Sequence, residues 1–246
     1  CYFTRCLFIP VAAVTVLLKS TDSSLVGTWA ECEEQSVAND IGKCYTLPFL
    51  LEEFIVPPLS LARIVSGGTC ETAQQHLSDC VLSNLQFMSM FDALVTEVIL
   101  PDLKKRIPKS SVTSASGVAF YYQRPPTLRL QPGPSESFVK PHADNEYGHQ
   151  DGELNYWLPL TDPSLTKTEL WCESGPGYGD YHPIHCKYGE ICVFFGSFCR
   201  HYVPPNKTSY TRISLDFRVG VEELGFDSTW KMLGTKDDHL RRKVVF

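Results

Sequence analysis

His142 and Asp144 stand one residue apart in the stretch VKPHADNEYGHQDGELNYWLPLTD (Val139–Asp162), just ahead of a run of alternating apolar residues. An imidazole and a carboxylate both ligate metal ions, and in extended backbone residues i and i+2 point to the same side. The pair therefore aims two donors at one point. His-x-Asp also arises by chance in ordinary loops, so the reading depends on a third donor downstream. Seven histidines are available, at 76, 142, 149, 182, 185, 201 and 239. His201 stands out because it closes GEICVFFGSFCRH (Gly189–His201), where an apolar strand and turn would deliver an imidazole across a barrel. Two imidazoles and one carboxylate on one face of Fe(II) leave positions open for a co-substrate and O2.

Eleven residues beyond His201 lies Arg212, in TRISLDFRVG (Thr211–Gly220). Here Thr211, Ile213, Leu215, Phe217 and Val219 alternate with Arg212, Ser214, Asp216 and Arg218. The bland reading is an amphipathic surface strand. The functional reading is a strand whose polar face lines a cavity. Arg212 would then fork onto a carboxylate, because a planar guanidinium matches one bidentately, and Ser214 would add a hydroxyl donor.

The elements that must position these groups follow from periodicity. From about Glu71 to Arg106 apolar residues recur at three- and four-residue spacing (Leu77, Val81, Leu85, Met88, Phe91, Leu94, Val95, Val98), which predicts helix, with Pro101 interrupting or ending it. The stretch Leu47–Val65 is read as partly helical, broken at Pro57-Pro58. After Ser116 the texture turns to strands at Val118–Arg124, Thr127–Pro132, Glu153–Leu160, Thr168–Ser174, Glu190–Gly196 and Tyr210–Val221, separated by Gly, Pro, Asp and Asn turns. Many short strands argue for a sandwich or jelly roll over a parallel α/β sheet. The expected architecture is a single domain over 1–246: a mostly helical N-terminal support (1–115), a β core (116–221) and a C-terminal extension (222–246).

Composition bounds the rest. The chain of 246 residues is 43% hydrophobic and 20% charged, which suits a globular core and excludes wholesale disorder. Net charge is −6 and no basic cluster exceeds HLRRK (His239–Lys243), so a nucleic-acid partner lacks its electrostatic footprint. No nucleotide-binding glycine motif occurs. Of ten cysteines none forms C-x-x-C, and reduced, mostly buried thiols are expected over a disulfide framework. The apolar stretch Leu7–Leu18 is the length of a signal-peptide core and too short to span a bilayer. It is read as an ordinary core segment, with a removed leader left open. The expectation is a cytoplasmic protein with no membrane partner; nothing in the sequence speaks to oligomeric state.

With these residues in place, the order His142-x-Asp144, His201, Arg212-x-Ser214 resembles the Fe(II)/2-oxoglutarate-dependent dioxygenases. The segments PTLRLQP, KPHADNEYGHQDGELNYWLPLTD, LWCESGPG and FFGSFCRH resemble the branch of streptomycin-biosynthesis dioxygenase-like, phytanoyl-CoA hydroxylase-related proteins. The resemblance covers roughly Phe120–Val219. It implies a double-stranded β-helix, that is a jelly-roll or cupin-like barrel, mainly β with flanking α and supported by N-terminal helices. It implies Fe(II) at His142, Asp144 and His201, and 2-oxoglutarate with its distal carboxylate on Arg212 and Ser214. The activity implied is oxidation of a C–H bond of a small molecule, by hydroxylation or oxidative cyclisation, consuming O2 and releasing succinate and CO2. Related halogenases replace the carboxylate ligand with a small residue; Asp144 argues against halogenation.

Other polar groups are weaker candidates. Asn155 and Tyr122 are expected near the second 2-oxoglutarate carboxylate, and Arg129, Tyr147 and His149 near substrate. Each also has a reading as a core hydrogen-bonding group. Trp157 and Trp171 are read as packing residues, His182 and His185 as a minor alternative metal pair, and His76 as a helix-surface residue. Two rival functions stay open: a cupin-like metal enzyme without 2-oxoglutarate, and a metal-free jelly-roll binding protein.

Overall fold

The strands of the protein, in chain order, are β1 (Arg5–Leu7), β2 (Ala119–Gln123), β3 (Thr127–Gln131), β4 (Val139–His142), β5 (Glu153–Pro159), β6 (Trp171–Cys172), β7 (His182–Pro183), β8 (Ile191–Phe194), β9 (His201–Val203), β10 (Arg212–Val221) and β11 (Arg241–Val245). They come from a computed structural model that describes residues 5–7, 85–107, 117–131, 133–136, 138–186, 190–210, 212–230 and 240–246. The expected helix at 47–65, the first part of the 71–106 helix and His76 lie outside the described residues.

The chain falls into two compact units, residues 9–99 and residues 1–8 with 100–246. Within the first, α1 (Leu85–Ala93) runs into a π-helical turn at Leu94–Ile99. Within the second, α2 (Leu100–Arg106) carries Pro101 at its second position. Proline carries no N–H, so where helical structure precedes it the carbonyl about one turn back loses its backbone donor. The interruption expected at Pro101 thus takes the form of a π turn just before it, and helical structure resumes.

The strands of the larger unit form two antiparallel sheets. One has the order β1-β8-β5-β10-β2-β11, with β3 also on β10; the other has the order β4-β9-β6-β7. β10 is buried at all ten positions. Its alternation explains why. Ile213, Leu215, Phe217 and Val219 present one apolar face, and Phe217 stacks on Tyr156 of β5 at 5.3 Å between ring centroids. Burying each such side chain contributes roughly 1.5–3 kcal/mol. Arg212, Asp216 and Arg218 face the other way and line a cavity. A strand with one apolar and one polar face is therefore wholly inside because the polar face has its own enclosed partners.

Several strands differ from the sequence expectation. Thr168–Ser174 contributes only the two residues of β6, and β4, β7 and β9 are short strands with too little alternation to read. β11, from the expected C-terminal extension, pairs with β2 over five residues and so belongs to the main sheet. β1 pairs with β8 at Arg5↔Val193 through Leu7↔Ile191. Among the described residues, Cys172, Cys186, Cys192 and Cys199 are free and buried, as expected for reduced thiols. No helix among the described residues is long and apolar enough to cross a membrane.

Candidate active site

The site is built where the two sheets meet the turn after β8. His142 ends β4 and Asp144 opens a 3-10 turn (Asp144–Tyr147), with Ala143 between them extended at φ −108° and ψ 142°. The i, i+2 relationship survives into the turn, so both side chains converge. His201 does not end the strand before it, as expected. It begins β9, after the turn at 196–199, and pairs directly with His142 across β4 and β9. Direct cross-strand neighbours lie on one face of a sheet.

Four further contacts lock the two segments together. Asp144 N–H donates to the Gly196 carbonyl at 2.9 Å, and Asn145 N–H to the Ser197 carbonyl at 3.1 Å. Arg200, the neighbour of His201, donates to the Pro141 carbonyl at 2.8 Å and to Glu146 Oε1 at 2.7 Å. The backbone that carries one pair of ligands is thus fastened to the backbone that carries the third.

Asp144 Oδ1 lies 3.6 Å from His142 Nε2 and 3.5 Å from His201 Nε2. One ligand atom from each of the three residues falls within 4.8 Å of the others. His142 Nδ1 donates to the Lys140 carbonyl at 2.7 Å, and His201 Nδ1 to the Cys199 carbonyl at 3.1 Å. A proton held on Nδ1 leaves the Nε2 lone pair free for a metal, the arrangement that orients imidazole ligands generally. Burial pushes His201 down to about 4, against the pull of Asp144, so its ring is neutral and a competent ligand at neutral pH. Burial also raises Asp144, but the Arg218 guanidinium, His201 and the Asn155 amide outweigh it and hold the carboxyl well below its usual range. The donor set therefore fits a divalent cation: two imidazoles with their Nε2 atoms turned toward one ionised carboxylate. Among the described residues this is the group of three such side chains close enough to hold one.

The cavity beside the triad is lined by Trp157, Phe194, Arg129, Arg212, Asp216 and Arg218 as well as His142, Asn155 and His201. Register explains the lining. Asn155 pairs with Arg218 and with Phe194, Trp157 with Asp216, and Ser214 with Arg129, so one face of β3, β5, β8 and β10 converges on one space. Arg212 is 4% exposed. Its Nε donates to the Thr168 carbonyl at 3.2 Å and its guanidinium lies 5.5 Å from the centroid of the Trp157 ring. Burial, with Arg129 nearby, pulls it down to about 10, which leaves it charged at neutral pH. Among the described residues no carboxylate forms an ion pair with it. A buried charge without a counter-ion is costly, and an anionic ligand would satisfy it. Ser214 is fully buried, two residues along the same face, and among the described residues its hydroxyl has no hydrogen-bond partner.

The remaining sequence candidates fall out differently. Asn155 lines the cavity, but its Nδ2 donates to Asp144 Oδ2 at 2.6 Å, so it holds a ligand residue. Arg129 lines the cavity with its guanidinium on Asp216, at 2.7 and 3.3 Å. Tyr122 is fully buried and pairs with Val219, which places it on the apolar face, away from Arg218 and the cavity. The expected cofactor role for Tyr122 is corrected on that ground. His149 is also buried: its Nδ1 meets Glu153 Oε2 at 2.8 Å, and Glu153 accepts from Arg241 of β11 at 3.0 Å. Tyr147 is 61% exposed and stands edge-on to His142 at 5.5 Å, where it can meet an incoming molecule. His185 pairs with Glu169 at the surface, and His182 reaches the Asp180 carbonyl. Trp171 stacks on Tyr202, as a packing residue should, whereas Trp157 lines the cavity. Arg218 and Asp216 were not singled out, though the alternation of β10 already placed them on the face of Arg212.

No protein-family profile matches the chain. It is 39% identical over 101 residues to the streptomycin biosynthesis protein StrG of Streptomyces griseus, a match covering 41% of this chain and 47% of that protein. The chain thus spans about half the length of this curated relative. Among solved structures it overlaps a non-heme monooxygenase, the ThoJ nickel complex, at TM-score 0.42 and 17% identity, covering 70% of this chain and 75% of that one. It overlaps the non-heme α-ketoglutarate-dependent epimerase SnoN from nogalamycin biosynthesis at TM-score 0.37 and 13% identity, over 70% and 68% of the two chains. A Pseudomonas putida prolyl-4-hydroxylase overlaps at TM-score 0.34 and 17% identity, over 55% and 64%.

Proposed function

We propose that the protein is an Fe(II)- and 2-oxoglutarate-dependent oxygenase that oxidises a C–H bond of a small molecule, with its two antiparallel sheets forming the halves of a jelly roll. The single observation that carries the reading is the presence, in one cavity, of a two-His-one-carboxylate donor set and a buried guanidinium that no carboxylate among the described residues pairs with. The first suits Fe(II) with positions left open. The second suits the far carboxylate of a dicarboxylic co-substrate.

Iron held by the triad, with the keto acid, would supply the oxidising chemistry, in which O2, 2-oxoglutarate and a substrate C–H bond give CO2, succinate and, for hydroxylation, the alcohol. The chain's own residues bind, orient and exclude water. His142, Asp144 and His201 hold the ion on one side and leave the cavity side open. Arg212 takes the distal carboxylate, aided by the Ser214 hydroxyl, and so sets which way the co-substrate lies. Trp157 and Phe194 give the cavity apolar wall, which strengthens the charge pairing inside it. Tyr147 stands at the exposed side of His142, where a substrate would arrive. Substrate type and outcome, hydroxylation or cyclisation, follow from what binds there, and natural-product or amino-acid-derived molecules are the class proposed.

Release of succinate from 2-oxoglutarate, dependent on Fe(II) and O2, tests the reading. Turnover with wild type and its loss in His201→Ala are expected. Fe(II) binding without any 2-oxoglutarate dependence would instead establish the cupin-like alternative.

A further inference from the structure

We infer that Arg218 is a positioning residue for the metal ligand Asp144: with Asn155 it occupies Oδ2 and confines the carboxylate to coordination through Oδ1 alone. The inference rests on the metal reading above and concerns how that site is shaped.

A carboxylate can hold a cation through one oxygen or two. The two oxygens of Asp144 have very different surroundings. Oδ2 accepts from Arg218 Nε at 2.8 Å and from Asn155 Nδ2 at 2.6 Å, and Arg218 Nη2 forms an ion pair with it at 2.8 Å. Two hydrogen bonds use both lone pairs of that oxygen, and the second guanidinium nitrogen lies against it. Oδ1 faces the two imidazole Nε2 atoms, at 3.6 and 3.5 Å, and among the described residues accepts no hydrogen bond. For Asp144 to bind through both oxygens, a buried guanidinium and a buried amide would have to lose their acceptor, which is costly in a low-dielectric interior.

The clamp is itself braced. Arg218 Nη1 donates to Gln123 Oε1 at 3.1 Å, and Gln123 is 4% exposed on β2. Arg218 and Asn155 are direct partners between β10 and β5, so the two donors sit on adjacent, hydrogen-bonded strands. Behind them Asp216 lies 3.8 Å from Arg218 Nη1 and takes the fork of Arg129. The planar guanidinium is required here: one residue reaches Asp144 with two nitrogens and Gln123 with the third, which an ammonium cannot do. Three protein ligands, each giving one atom, leave three of six positions on an octahedral ion. A two-oxygen Asp144 would take one of them away.

Titration of the metal-free protein with Co(II), without 2-oxoglutarate, tests this. Binding is followed by the visible d–d spectrum, and thermal melting of the metal-free variants checks the fold. R218Q is expected to weaken Co(II) ten- to a hundredfold, the usual effect of removing an outer partner of a metal ligand, and to change the spectrum. R218K, which keeps the charge without the fork, is expected to restore part of the affinity and not the wild-type spectrum. Should R218Q fail to fold, the R218K spectrum carries the comparison. Wild-type affinity and spectrum in a folded R218Q or R218K would overturn the inference alone. No Co(II) binding by wild type would overturn the metal reading, and this inference with it.

Discussion

His142 and His201 are direct cross-strand partners, 59 positions apart in the chain and 4.4 Å apart between ring centroids. Each fixes its Nδ1 proton on a carbonyl two residues back, Lys140 for one and Cys199 for the other. The metal face is therefore set by the sheet, before any ion arrives. Replacing either ring by Ala should reduce divalent-metal affinity at least a hundredfold while leaving the metal-free melting temperature within a few degrees. Isothermal titration with Mn(II) measures the first and calorimetry the second.

Arg212 and the triad make separable demands. Arg212→Gln should leave Mn(II) affinity within about threefold of wild type and weaken 2-oxoglutarate ten- to a hundredfold, as expected for losing a charge-assisted pair worth roughly 1.5–3 kcal/mol. Ser214→Ala should move the same constant less, by a few-fold. Titration of the metal-loaded, oxygen-free protein with 2-oxoglutarate reports both. Equal loss of metal and keto-acid binding in Arg212→Gln would mean that the residue supports the fold only.

The site was legible in the sequence to the extent that chemistry and alternation are local. His-x-Asp, a histidine after an apolar run, and Arg212 with Ser214 on the polar face of an alternating strand can all be read from residue types. What surrounds them cannot. Arg218 matters because β10 lies beside β5 and faces Asp144, and Arg200 matters because β9 lies beside β4. The first is a choice of neighbour that alternation alone does not specify, and the second a pairing of short strands with weak patterns. The misplacement of Tyr122 has the same origin. In a strand buried on both faces, type and alternation do not say which face meets the cavity, and the pairing with Val219 decides it. His149 follows the ligand pair closely in sequence, but that nearness does not show that Glu153, four residues on, takes its Nδ1.

Gly196 tests how tightly the Asp144 support is packed. A Cβ there would fall 2.6 Å from the Asn155 side chain, closer than real contacts allow. Gly196→Ala should displace Asn155, cost about 1–3 kcal/mol of stability as overpacking does, and weaken metal binding as well. Chemical denaturation and Mn(II) titration on the same preparation check the two together. A stable variant with unaltered metal binding would show that Asn155 is dispensable to the site.

The buried thiols give a pH-dependent prediction. Burial raises both Cys172 and Cys199, Cys199 to about 11. A raised thiol stays protonated until the pH rises through the new value, so at pH 8 only about one part in a thousand of Cys199 is thiolate, against roughly a quarter for an ordinary cysteine. Brief iodoacetamide treatment of the native protein at pH 8 should leave Cys172, Cys186, Cys192 and Cys199 unlabelled by peptide mass mapping, and labelling should become complete in denaturant. Rapid labelling of any of the four in the native protein would contradict their placement in the core.

The central claim is that one ion and one keto acid meet between the triad and Arg212. Fe(II) and 2-oxoglutarate added together without oxygen should produce a weak visible charge-transfer band in wild type, and the band should vanish in His201→Ala. No band in wild type, or a band that persists without His201, would contradict the account.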